Sequence, residues 1–210
     1  MDVKEAYRYW SLQYDTNVNP TRDLESISLR NLLSDGHFYN CLEIGCGSGK
    51  NTEWLVKRCK CILAVDISDE MLTIARAKVT DTNVTFINAD VQEPWNKILE
   101  ISSTFDLVVC SLVLEHIEDI AAIINRIAEH LDVGGVLYIG ELHPFKQYSG
   151  SKARFITDKG EQIVEAFTHH ISDFTDAAKK NGLKIEEIKE YFDDDDRSNI
   201  PRILALKFIK

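Results

Sequence analysis

Leu42-Glu43-Ile44-Gly45-Cys46-Gly47-Ser48-Gly49-Lys50 is the stretch that decides the fold. A short apolar run ends in three glycines spaced Gly-x-Gly-x-Gly, and a helical pattern over residues 51–59 follows. A strand, a glycine turn and a helix in that order bring backbone N–H groups to a helix start, where a ligand can be held. Glycine lets the chain take positive φ there and approach the ligand closely. A dinucleotide-binding loop would be spaced Gly-x-Gly-x-x-Gly, but position 50 is Lys. Glu43 would also repel a pyrophosphate, whereas a carboxylate there suits a ligand carrying an ammonium group.

Working outward, apolar strand-like runs at 41–45, 61–66, 84–89, 107–111 and 136–141 alternate with helical patterns at 51–59, 69–79 and 117–131. Short apolar strands separated by helices predict a parallel sheet covered on both faces. Gly134-Gly135 reads as the stop signal of the 117–131 helix. The pattern then changes to a helix at 173–181, ended by Gly182, and two alternating strands at 183–191 and 203–209. Their short connection makes them antiparallel neighbours. The expected fold is therefore α/β, a doubly wound and mostly parallel seven-stranded sheet with an antiparallel C-terminal strand pair. Residues 1–40 form a helical cap, and in 142–172 a hairpin at 154–157 and 162–167 projects from the sheet edge. With neither repeats nor a linker, residues 1–210 read as one domain.

Three further features converge on the glycine loop. Asp66 ends the second strand, where a carboxylate accepts both hydroxyls of a ribose. Asn88-Ala89-Asp90-Val91 follows the third strand, where a carboxylate can accept from an adenine amino group. Phe105-Asp106-Leu107-Val108-Val109-Cys110-Ser111-Leu112 runs from the fourth strand towards the same crevice. Ligands of open α/β sheets bind at the carboxyl ends of the strands, at the switch point.

Taken together, these four segments resemble the class I S-adenosylmethionine-dependent methyltransferases, nearest the small-molecule branch that includes the quinone-biosynthesis enzymes. The resemblance covers nearly the whole chain, including an antiparallel strand inserted between the fifth strand and the sheet edge. It implies S-adenosylmethionine as cofactor and S-adenosylhomocysteine as product. It further implies that Glu43, Gly45, Cys46 and Gly47 surround the methionine end, with Ser111 close by. Asp66 would hold the ribose, Ile67 and Met71 would pack on adenine, and Asp90 and Val91 would bond its edge. In the cap, Tyr14 and Arg22 would meet the cofactor carboxylate. The acceptor would be a small molecule, methylated on O, N or C.

Methyl transfer needs an oriented nucleophile and, for O or C acceptors, a base. Orientation alone is worth roughly 7–11 kcal/mol, and a base adds about 10²–10⁴-fold. The candidate bases are His143, placed just past the fifth strand, His116, just past the fourth, and His169. His170, Tyr148, Arg154 and Phe155 are candidates for the acceptor pocket. Alternatives on the same architecture are a nicotinamide-dependent oxidoreductase and a non-catalytic cofactor-binding protein.

Composition narrows the field further. The chain is 44% hydrophobic and 28% charged, with a formal charge of −10, which argues against non-specific nucleic-acid binding. No apolar stretch is long enough to span a bilayer, and the N-terminus lacks the apolar core of a signal peptide, so a cytoplasmic location is expected. The five cysteines have no framework spacing and are read as reduced, with Cys41, Cys61 and Cys110 buried in strands. Asp193 to Asp196 lack the spacing of a calcium loop and read as a solvated turn, and no metal site is expected.

Overall fold

The protein is described by a computed structural model that covers residues 2–11, 13–98, 103–157 and 160–210, the side chains of Ile156 and Thr157 aside. In chain order the elements are α1 (Val3–Trp10), α2 (Pro20–Leu32), β1 (Phe38–Ile44), α3 (Thr52–Leu55), β2 (Cys59–Asp66), α4 (Asp69–Lys78) and β3 (Val84–Asn88). Next come β4 (Phe105–Ser111), α5 (Ile120–His130), β5 (Leu131–Leu142), α6 (Pro144–Tyr148), β6 (Arg154–Thr157) and β7 (Gly160–Ile163). The chain ends with α7 (Ile171–Lys180), β8 (Lys184–Tyr191) and β9 (Ile203–Ile209). Seven strands make one sheet in the order β3-β2-β1-β4-β5-β9-β8. The first five are parallel, and β9 runs antiparallel to both β5 and β8.

Alternation along the strands builds two cores. In β4, Val108 and Cys110 join a layer with Ile120, Ile123, Ile124 and Ile127 of α5 and Phe174 of α7. Those four isoleucines recur at i, i+3, i+4 and i+7, the single face that a helix lays on a sheet. On the other face Leu107 and Val109 pack with Leu29 and Leu32 of α2, Leu55 of α3 and Leu72 of α4. A third, smaller cluster joins α1 to the β6–β7 pair, with Trp10 stacked on Phe155 at 5.3 Å between ring centres.

Several expectations are corrected. The helix expected over 51–59 lasts only from Thr52 to Leu55, because the sheet claims its end. The Arg58 carbonyl accepts from Phe38 N–H, and Cys59 already pairs with Phe38 in β2. Gly134 and Gly135 do not stop a helix; α5 ends at His130, and both glycines lie within β5, in an irregularity of its pairing with β4 between Leu131 and Val136. Cys41 and Cys110 are buried, but Cys61 is exposed beside Lys60, where β2 extends beyond its cover. The 154–163 hairpin is a separate two-stranded sheet resting on the cap, and its turn, 158–159, lies outside the described residues. Residues 38–40 belong to β1 rather than to the cap.

Candidate functional site

The glycine loop is tied to β2 from behind: Gly45 and Cys46 N–H both donate to the Val65 carbonyl, at 2.8 and 3.0 Å. Gly45 sits at φ +70°, and a Cβ there would meet Val113 Cγ2 at 2.5 Å. Gly47, at φ +52°, faces open space. Its N–H donates to Asp66 Oδ2 at 2.8 Å, while Ser68 N–H donates to Asp66 Oδ1 at 2.8 Å. Two backbone amides thus aim the Asp66 carboxylate, and the helix cap of α4 is Ser68, whose Oγ accepts from Met71 N–H.

Three cavities meet above the carboxyl ends of β1, β4 and β5. The first, about 310 Å³, has Asp66, Ile67, Ala89, Asp90, Val91 and His116 among its walls. The second, about 340 Å³, lies under the cap, between α1, the first turn of α2 and the segment after α6. A third, about 40 Å³, is a small recess formed by Glu43, Gly45, Cys46, Gly47, Arg22 and Glu25 together with their neighbours. Tyr14 and Leu112 line all three. Leu112 takes φ +51°, a left-handed conformation unusual for a branched residue, and strain of this kind gathers at working sites.

Burial sets the electrostatics. It pushes the Glu43 carboxyl up to about 8, against a hydrogen bond from Thr52 Oγ1 at 2.6 Å that favours ionisation. Arg22 and Lys50 line the same recess, but neither hydrogen-bonds nor ion-pairs with Glu43, so its carboxyl is left to meet a ligand's ammonium. Arg22 lies over the Tyr14 ring at 5.0 Å and donates to the Tyr14 carbonyl. Across the first cavity, His116 Nδ1 faces the Glu165 carbonyl at 2.8 Å. A carbonyl only accepts, which assigns the ring proton to Nδ1 and leaves Nε2 to accept from the Tyr7 hydroxyl at 3.0 Å. Burial raises Tyr7 well above a free phenol, so it stays protonated. The turn carrying His116 is held by Glu141, whose Oε1 accepts from Val113 and Leu114 N–H at 3.0 and 2.8 Å.

Of the residues singled out in the sequence, Tyr14, Arg22, Glu43, Gly45, Cys46, Gly47, Asp66, Ile67, Asp90, Val91, Ser111 and His116 all line the first or third cavity. Asp90 also keeps a turn role, accepting from Gln92 N–H at 2.8 Å. Arg154 lines the second cavity. Others are elsewhere. Met71 is fully buried on the inner face of α4 and touches none of the three cavities. His143 is turned into the protein as the N-cap of α6: Nδ1 accepts from Phe145 N–H and Nε2 donates to Glu190 at 3.0 Å. His169 is buried against the Leu114 and Ile117 carbonyls, a prop beneath the turn that carries His116. Tyr148 and His170 bond to each other on the outer surface, and Phe155 is spent on Trp10. Sequence reasoning missed Tyr7, Val113, Glu165 and Phe167, and placed Leu112 only as the end of the segment after the fourth strand. Only Tyr7 left a trace, as one aromatic among several on an amphipathic helix.

With this geometry in view, residues 42–139 match the family described as a methyltransferase domain. The ubiquinone biosynthesis O-methyltransferase of Xanthomonas euvesicatoria pv. vesicatoria is 28% identical over 177 residues, which cover 81% of this chain and 72% of that one. The N-methyltransferase NodS from Bradyrhizobium japonicum WM9, solved with S-adenosyl-L-homocysteine, superposes with a TM-score of 0.74 at 20% identity, covering 99% of this chain and 97% of its own. An S-adenosylmethionine-dependent methyltransferase from Mesorhizobium loti gives a TM-score of 0.71 at 22% identity, covering 88% and 96%. A doubly wound sheet with an inserted antiparallel strand, carrying a glycine loop beside a ribose-type carboxylate, defines a Rossmann-like methyltransferase. Residues 42–139 thus form a methyltransferase domain, and the chain shares the fold of the S-adenosylmethionine-dependent methyltransferases. The nicotinamide-dependent alternative finds no support. Among the described residues no helix is long and apolar enough to cross a membrane, and no group of three or more His, Cys, Asp or Glu could hold a metal.

Proposed function

We propose that the chain methylates an oxygen of a small molecule, with His116 receiving the acceptor's proton by way of Tyr7. The observation that carries this is the Tyr7–His116–Glu165 chain at the wall between the first two cavities. The O-methyltransferase activity of the Xanthomonas relative agrees with it.

The residues present fit the cofactor: an aimed carboxylate at Asp66 and a buried carboxyl at Glu43 that pairs with no Lys or Arg among the described residues. Asp66 would hold the ribose hydroxyls, Ile67, Ala89 and Val91 the adenine faces, and Asp90 its edge. Glu43 and the glycine loop would take the ammonium end, with Tyr14, Arg22, Cys46 and Ser111 around the rest of the amino-acid portion. Bound S-adenosylmethionine supplies an electrophilic methyl group on a sulfonium. An acceptor hydroxyl against the Tyr7 oxygen passes its proton there as Tyr7 passes its own to His116 Nε2. Glu115 Oε1, 4.0 Å from that nitrogen, then steadies the charged ring. The five free cysteines, four of them buried, support a reducing, cytoplasmic setting.

The test is formation of S-adenosylhomocysteine with a panel of phenols, catechols and hydroxy acids. His116→Ala is expected to lower kcat by about 10²-fold or more. Its S-adenosylhomocysteine affinity should stay within about threefold of the parent's. Unchanged turnover in that variant would remove His116 from the mechanism.

A further inference from the structure

The second cavity shares Tyr7, Tyr14 and Leu112 with the first, so its contents would meet the cofactor at those three residues. Its charge runs against that of the whole chain. The sequence carries a formal charge of −10, yet three cations reach this wall from two separate segments. Lys152 comes from the loop after α6, Arg154 from the start of β6 and Arg202 from just before β9. The one carboxyl in the lining is Glu115, which burial raises above its ordinary value, against three cations.

Local counterions cancel these cations only in part. Asp193 takes Arg202 through both carboxylate oxygens, but it also takes Lys146 at 3.4 Å, so two cations share one anion. Arg154 has Glu161 at 3.5 Å. The Lys152 ammonium has no partner among the described residues. Asn19, Pro20 and Thr21 complete the wall, and they are the start of the 13-residue α2, the end of a helix dipole that favours an anion. Opposite, Tyr7, Trp10 and Tyr14 offer an aromatic surface to the uncharged part of a ligand.

Resting on the methyltransferase reading above, we propose that this cavity is the acceptor site and that its acceptor is an anion. The acceptor bears a carboxylate or phosphate that Lys152, Arg154 and Arg202 hold, leaving its nucleophilic oxygen at Tyr7 beside Leu112. Charge-assisted bonds from a guanidinium fork and an ammonium give such a group both affinity and a fixed direction. Orientation of this kind is what an in-line displacement requires.

The experiment uses the full chain saturated with S-adenosylhomocysteine, whose own binding is measured first. Two matched pairs are then titrated by calorimetry: benzoate against benzamide, and phenyl phosphate against phenol. At least one anion should bind about tenfold or more tightly than its neutral partner. The preferred pair tells a carboxylate site from a phosphate site, and the preference should fade as salt is raised. Lys152→Gln with Arg154→Gln, two exposed residues whose loss should not unfold the chain, should abolish the preference. Equal affinities within both pairs, no binding of either anion up to tens of millimolar, or a preference that survives in the double variant would overturn the proposal. Failure of the unmodified chain to bind S-adenosylhomocysteine would overturn the cofactor reading instead, so the two failures are told apart.

Discussion

Asp66 shows how much one side chain can be asked to do. Each of its oxygens accepts a backbone N–H, from Gly47 and from Ser68, and the carboxylate also borders the first cavity. Asp66→Ala therefore removes a ligand contact and frees two amides together. S-adenosylhomocysteine affinity should fall by about 2–4 kcal/mol, roughly 30- to 1000-fold. Stability should fall by about 1 kcal/mol. Titration and chemical denaturation of that variant measure both, and an unchanged affinity would leave Asp66 a purely structural clasp. His143 is the counterexample. It follows the fifth strand in the sequence, as a catalytic base could, but its ring caps α6 and meets Glu190. His143→Ala is expected to cost about 1–2 kcal/mol of stability through the lost cap. Turnover of the folded fraction should hold, and a hundredfold drop there would reinstate His143 in the chemistry.

At the scale of elements, the glycine loop divides its labour. Gly45 is crowded by Val113, the residue whose N–H is held by Glu141, so it sets how closely the loop after β4 approaches the loop after β1. Gly47 needs only its positive φ, since nothing lies within 4 Å of where its Cβ would be. Gly47→Ala should thus cost about 1 kcal/mol, the usual penalty of a left-handed alanine. Gly45→Ala must in addition push Val113 aside, and should destabilise more while weakening S-adenosylhomocysteine binding. Thermal melts with and without that ligand compare the two; equal effects would mean that the contact with Val113 is slack. The short α3 carries a related lesson. Its residues have helical periodicity, but pairing of Cys59 with Phe38 wins the end of the segment for the sheet. Local propensity is a weak preference that tertiary pairing overrides.

Across the whole molecule, several carboxyls are held in one buried region around the site: Glu25, Glu43, Asp66, Glu115 and Glu141 are all raised above their ordinary values, chiefly by burial. For Glu43, held at about 8, the sign of the linkage is definite. The unfolded carboxyl ionises near 4.3 and the folded one near 8, so unliganded stability declines as pH rises through that window. A ligand ammonium favours the ionised form, and binding then expels the proton. S-adenosylhomocysteine affinity should accordingly rise between about pH 6 and 8, by up to about tenfold per pH unit, and level off above. Calorimetry across that range checks it. A flat profile in the parent chain, or the same slope in Glu43→Gln, would take Glu43 out of the ammonium site.

The sequence by itself determined the sheet, its inserted antiparallel strand and the glycine loop, because these rest on local signals: period-2 apolar runs, glycine spacing and carboxylates at strand ends. Residues 203–209 were legible to the residue, since a strand buried on both faces leaves little freedom. The positions of Glu43 and Asp66 near the ends of the first two strands, and of Gly45 in the turn after β1, were legible for a like reason, being fixed by the backbone. The acceptor side belonged to the tertiary structure. Tyr7 and His116 are 109 residues apart, and nothing in either neighbourhood announces the other. Lys152, Arg154 and Arg202 become one surface only when the cap, the small hairpin and β9 close around a common space. His143 and His169 look as eligible as His116 in the sequence, and only packing left His116 on a cavity wall while it turned the other two rings away from all three cavities. A strand end points its side chain by geometry, whereas a loop residue is aimed by whatever it packs against.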